Sequence, residues 1–270
     1  MPSLKNVLYS IGALEKLALS SSPVHRVDPR AKLLTTLIFV AIVTSFGNMD
    51  LVRLLPFAVY PVAIGSFGDI PSGAVWKRTL IVSPFAIFIG IFNPVFDQEV
   101  VLRIGSAGIS GGWLSFAVIM TKFFLTVTAS LLLVATTGFY KVCAALLKLK
   151  VPEVFVTQLL FMYRYIFLMI QETSRASRAH NMRAFRKRGM DIRIFGSFLG
   201  QLLLRTIDRG HRIYTAMTSR GFHGDIPILH NPVFRFSDLI FMSLWIGTFT
   251  CLRIYNLPAI LGSLLAGGGG

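Results

Sequence analysis

The sequence predicts an all-α integral membrane protein. It has about five transmembrane helices (range four to six) and a pair of long helices on the cytoplasmic side, before the last span. Three observations predict this. Of the 270 residues, 54% are hydrophobic and only 14% charged, more apolar surface than a soluble domain of this length usually hides. The apolar residues gather into runs of nearly bilayer-spanning length. The excess positive charge, a net +15, avoids those runs and collects at their ends and between Gln171 and Gly224. That distribution suits the cytoplasmic face of a membrane protein. It does not suit a nucleic-acid binder, since neither an aromatic-basic RNA-reading motif nor a helix-turn-helix pattern stands out.

Residues 1–30 read as an amphipathic, interfacial segment. Lys5, Glu15 and Lys16 interrupt its apolar content, and no cleavage site follows, so it is not read as a secretory signal. It leads into Asp28-Pro29, a helix start in which Asp caps the first amides and Pro fits the first turn. Arg30 and Lys32 read as interfacial anchors; a partner contact by Asp28, Arg30 or Lys32 is a second reading.

Residues 31–137 read as a membrane part of four helices. The spans are expected at about Leu33–Met49, Leu51–Phe67 (with Arg53, Pro56 and Pro61), Thr79–Val95 (with Pro84) and Trp113–Thr137. Prolines are tolerated inside such helices where neighbours satisfy the freed carbonyls. Lys122 falls within the fourth run and must snorkel, pair or face the bundle; a packing role outweighs a transport role. The flanks set the orientation. Arg26, Arg30 and Lys32 precede the first span, Lys77 and Arg78 the third, and Lys141, Lys148 and Lys150 follow the fourth, while the alternate loops are poor in Lys and Arg. Positive charge inside places the N-terminus in the cytoplasm.

Residues 138–224 are read as a cytoplasmic domain. Val151–Ile170 is apolar enough to resemble another span, yet crossing would put the eleven Lys and Arg between Glu172 and Arg220 outside. Arg164 in its middle would cost about 2.5–3.5 kcal/mol even on the lenient insertion scale. The run is therefore expected not to cross but to form the front of one long helix, about Pro152 to Arg188. A second helix, about Ile194 to Arg220, carries an apolar stripe with Phe195, Phe198, Leu202 and Met217. Arg205, Arg209 and Arg212 share another of its faces. Residues 225–270 hold the last span, about Phe236–Leu257, which takes the C-terminus outside, and a tail whose Gly267–Gly270 run carries no fold information.

No phosphate-binding G-x-x-x-x-G-K-[ST], no H-E-x-x-H and no Ser/His/Asp order is visible. The five histidines show no ligand spacing, and the two cysteines, Cys143 and Cys251, suggest neither a disulfide framework nor a zinc site. No catalytic, metal or cofactor-binding residue is therefore assigned.

One small pattern appears twice: Ala184-x-x-x-Arg188-Gly189 and Ala216-x-x-x-Arg220-Gly221. Each closes a long helix. Arg near a helix C-terminus and a capping Gly are ordinary, but two such ends on consecutive basic helices point to docking on a partner. Arg183, Arg186, Lys187, Arg205, Arg209 and Arg212 are the supporting basic residues.

These residues resemble a family, the transmembrane (T) component of energy-coupling factor transporters, and within it the cobalt-type CbiQ proteins. The likeness rests on Lys187-Arg188-Gly189 and Ser219-Arg220-Gly221, which match the family's Ala-Arg-Gly ends in the Arg-Gly pair and not in the preceding residue. It rests also on the Ser22–Lys32 stretch with Asp28-Pro29-Arg30-Ala31-Lys32, and it extends from about Ala13 to Leu257. The resemblance implies a non-catalytic subunit that joins two cytoplasmic ATPases, which bind the ATP, to a membrane substrate-binding (S) subunit. It implies that the two long helices cross and act as coupling helices, each Arg-Gly end docking on one ATPase. The import of cobalt ions is the expected task, nickel or a vitamin the alternative within the family. A stand-alone transporter with its own substrate path, or an anchor on anionic lipid, is the alternative outside it.

Overall fold

The computed structural model describes residues 18, 22–47, 49–96, 100–104, 107–183, 192–222 and 234–255. The chain divides into two compact units. Ala13–Ala145 with His230–Gly270 forms one; Met1–Gly12 with Leu146–Leu229 forms the other.

The larger unit begins with α1 (Pro23–Arg26) and α2 (Pro29–Thr44). The expected start is present: Asp28 Oδ1 accepts from the amide of Arg30 at 2.8 Å, with Pro29 in the first turn. Next come α3 (Leu51–Leu54), a 3₁₀ turn (Leu55–Ala58) and α4 (Val59–Phe67). The tightened turn sits at Pro56, which lacks the amide that would continue the α-helical ladder. α5 (Ser72–Gly90) runs through Pro84 and is followed by α6 (Phe92–Phe96), then by α7 (Gly111–Thr137) and α8 (Phe139–Lys148), whose last residues belong to the other unit. α11 (Phe236–Ile254), the last described helix, completes the unit.

Between α6 and α7, where the sequence predicts only a loop between spans, the chain forms strands. They make a short antiparallel hairpin of β1 (Val100–Ile104) and β2 (Ala107–Ser110). Val100-Val101-Leu102 and Ile104 are β-formers packed into a run too short to read as a span.

α7 packs against most other helices of this unit, and α2 carries its aromatic core. Phe39 meets Tyr60, Phe249 and Phe57 at ring-centroid distances of 4.7, 5.3 and 6.3 Å. Tyr60 stands edge-on to Trp245 at 4.9 Å, and its hydroxyl shares a 2.9 Å hydrogen bond with that of Thr36. These contacts tie α2 to the 3₁₀–α4 segment and to α11 through aromatic pairs in favourable tilted and edge geometries.

Both ends of α2 are clamped by polar groups. At its start, the Asp28 amide donates to Asp238 Oδ1 of α11 at 3.0 Å, and Lys32 Nζ donates to the Thr136 carbonyl at the end of α7 at 3.1 Å. Past its end, Lys122 Nζ from α7 donates to the Phe46 carbonyl at 2.6 Å. Arg253 of α11 lies 4.1 Å over the Phe46 ring and donates to Ser45 Oγ at 3.3 Å. Lys122 thus serves packing, as the sequence suggested.

The smaller unit is built on α9 (Glu153–Arg183) and α10 (Ile192–Thr218). At 31 and 27 residues they are roughly 46 and 40 Å long. Both appear within two residues of their expected starts. Arg188, the expected end of the first, lies outside the described residues.

Among the described residues, four helices are long and apolar enough to cross a membrane: Val75–Pro94, Gly111–Thr137, Glu153–Ala179 and Phe236–Ile254. Three of them cover expected spans. The first expected span is instead a 16-residue helix, α2, because the chain turns at Ser45 and the exposed carbonyls are taken up by Lys122. The second, Leu51–Phe67, is a shorter apolar helix broken by the 3₁₀ turn. The fourth candidate, Glu153–Ala179, includes the run that the charge pattern predicts to stay inside.

Candidate functional site

The second Arg-Gly end is built as a Schellman cap. The amide of Phe222 donates to the Met217 carbonyl at 3.0 Å and that of Gly221 to the Thr218 carbonyl at 3.0 Å, the two bonds that define the motif. It requires a left-handed residue just past the helix, and Gly221 has φ +82°. A side chain at that φ would be strained. Arg220 is therefore the last residue before the reversal, exposed, with Ala216 exposed one turn before it. The amides of Gly221 and Phe222 occupy the last carbonyls, so the Arg220 guanidinium is not needed to cap its own helix.

The first Arg-Gly end is not open to the same description. Ala184, Arg186, Lys187, Arg188 and Gly189 lie outside the described residues, and Arg183 is the last residue of α9.

The basic residues of α10 do not act alike. Arg209 donates to Glu172 Oε2 of α9 at 3.2 Å, and Arg205 pairs with Glu172 Oε1 at 4.0 Å. Thr206, between them, donates to the Met169 sulfur at 3.2 Å. Arg209 thus braces α10 against α9, Arg205 adds a longer contact from an exposed position, and Arg212 is exposed. Glu172 was not singled out from the sequence. The available signal was its isolation, as the only carboxylate between Val154 and Met190, set among arginines.

At the N-terminal stretch, Asp28 and Lys32 are buried, and the Arg30 side chain is 25% exposed. Asp28 and Lys32 serve the interior of their unit; of the three, Arg30 alone reaches the surface. Lys32 stands one residue ahead of the first apolar run. Burial pushes its ammonium down to about 8, the Lys141 cation adds to this, and Asp238 and Asp28 oppose it. Asp238, the other carboxylate of this cluster, also escaped the sequence reading. Its Oδ2 accepts from the Arg235 amide at 2.8 Å, so a lone acid in a helix's first turn was the usable sign. Among the described residues, no group of three or more His, Cys, Asp or Glu could hold a metal ion.

Fold and site together define a helical membrane protein whose smaller unit presents a glycine-capped arginine at the end of a long helix. The chain belongs to the CbiQ family, described as a cobalt transport protein, which it matches over residues 20–229. That range takes in Asp28, Arg30, Lys32 and both Arg-Gly ends, and stops short of Asp238. The chain is 29% identical over 240 residues to an uncharacterized protein of Methanocaldococcus jannaschii, covering 84% of this chain and 81% of that one. It is 26% identical over 227 residues to the energy-coupling factor transporter transmembrane protein EcfT of Bacillus subtilis, covering 76% and 82%.

Proposed function

We propose that this chain is the transmembrane coupling subunit of an ATP-driven energy-coupling factor importer, with cobalt ions as the cargo of the complex. It has no catalytic role. Two cytoplasmic ATPases bind and hydrolyse ATP, and a membrane S subunit binds the substrate. The chain converts closure of the first into reorientation of the second. The family match and the EcfT relative support the class, and nickel or a vitamin remains the alternative cargo.

The observation that carries the reading is the Arg220-Gly221 end, a cap that satisfies its own helix and leaves an exposed cation at the tip. By the sequence repeat, Arg188-Gly189 forms the second tip, each engaging one ATPase. The brace at Glu172 lets the two tips move as one body. In this reading α9 does not cross. Its apolar half lies against the bilayer on the cytoplasmic side, the N-terminus is cytoplasmic and the C-terminus outside. Arg164 is exposed on α9, its guanidinium 5.9 Å from the Tyr165 ring, which favours an interfacial position over the bilayer centre.

The test is co-purification and uptake with Arg188 and Arg220 changed singly and together to Glu. The double variant is expected to lose ATPase binding and uptake at least tenfold, more than either single change. Undiminished assembly in the double variant would sink the proposal. Uptake by this chain in vesicles without any ATPase would favour a stand-alone transporter instead.

A further inference from the structure

We propose that the cleft between α9 and α10 binds the phosphate of an anionic phospholipid headgroup. The cleft has a volume of about 480 Å³, within the range of small-molecule sites. Arg175, Arg205 and Arg209 line it together with Gln171 and Glu172, three guanidinium groups against one carboxylate. Glu172 is already shared between Arg209 at 3.2 Å and Arg205 at 4.0 Å. It orients these two cations without neutralising all three. Guanidinium groups converging on one cleft suit a phosphate, whose oxygens take paired N–H donors.

The choice of a lipid follows from the cleft's level along α9. The apolar run ends at Ile170 and the first arginine after it is Arg175, so the cleft opens where apolar surface gives way to charge. Headgroups lie at that level of a membrane, and the cytoplasmic leaflet is the anionic one. The remaining wall is apolar or small, with Leu168, Ala176 and Ala179. Leu203, Leu204 and Ile207 of α10 are exposed nearby in the sequence and offer surface for acyl chains. A bound headgroup would bridge the two long helices beside Glu172, holding the brace at the membrane surface.

This inference rests on the placement of α9 against the cytoplasmic leaflet, but its test needs no ATPase, so loss of ATPase docking leaves it standing. The full chain in neutral detergent is titrated with phosphatidylglycerol or with phosphatidylcholine of identical acyl chains, and retained lipid is read by native mass spectrometry. One phosphatidylglycerol is expected to bind at least tenfold more tightly than phosphatidylcholine. Arg175→Gln with Arg209→Gln should abolish the preference. Arg175→Gln alone, an exposed change that should not disturb folding, should weaken binding about threefold, and Arg178→Gln should leave it unchanged. Equal binding of the two lipids, or wild-type preference in the double variant, overturns the proposal. So does an equal loss in Arg178→Gln, which would make the attraction a diffuse charge effect. Inorganic phosphate that binds at micromolar concentration and displaces the lipid would identify a soluble phosphate as the ligand and overturn the lipid assignment.

Discussion

An ammonium group among apolar side chains needs acceptors. Lys122 finds them in the main chain just past α2, the Phe46 carbonyl at 2.6 Å and the Thr44 carbonyl at 3.4 Å. Lys122→Met removes the donor and leaves the half-buried Phe46 carbonyl without it, at a cost of about 1 kcal/mol. Thermal unfolding in detergent should show that loss, while uptake per folded molecule stays near wild type; a stable variant without uptake would assign Lys122 to transport instead. Lys32 gives a pH signature. Burial holds its folded value near 8 against an unfolded value of about 10.4, so the folded state disfavours the charged form. The penalty is full below pH 8 and fades as the pH rises towards 10.4. Stability should therefore rise through that window by up to roughly 3 kcal/mol, and the rise should be missing from Lys32→Met. Equal slopes in the two proteins would remove Lys32 as the cause.

At the scale of elements, close approach is as informative as bonding. A Cβ added to Gly90 at the end of α5 would lie 2.8 Å from Cδ2 of Phe116 on α7, whereas one added to Gly73 in the first turn of α5 meets nothing within 4 Å. Gly90→Leu should cost about 1–3 kcal/mol by forcing the two helices apart, and Gly73→Ala should be neutral or slightly stabilising through helix propensity. Melting curves of both variants decide this, and a harmless Gly90→Leu would mean that Phe116 swings away freely. The helices themselves were legible wherever a long periodic or apolar run existed: α7 starts two residues from its expected start and ends where expected, and the Gly221 cap follows from one residue type. What was not legible came from long-range pairing. Glu172 with Arg209, and Asp28 with Asp238, join residues 37 and 210 positions apart, and no local pattern announces the partner. The shortened α2 has the same origin, since Lys122 takes carbonyls 76 and 78 positions away.

For the molecule as a whole, two physical signals meet on α9 and point opposite ways. By length and composition Glu153–Ala179 can cross a membrane. By charge it should not, because crossing would carry the eleven Lys and Arg between Glu172 and Arg220 to the outside. Each Lys or Arg retained near the anionic cytoplasmic surface is worth about 1 kcal/mol, and an arginine at mid-helix adds about 2.5–3.5 kcal/mol against crossing. On the proposed reading these terms hold α9 on the cytoplasmic side. His180→Cys places a reporter three residues before the end of α9. Of the two natural thiols, Cys143 is buried and pushed up to about 11, so it stays silent at pH 7, and the exposed Cys251 is replaced by Ser. An impermeant maleimide added to intact cells should leave position 180 unmodified and should label it once the membrane is opened. Rapid labelling of intact cells would put the basic helices outside. Cytoplasmic ATPases could then not reach Arg220, and the coupling role would fall with the topology.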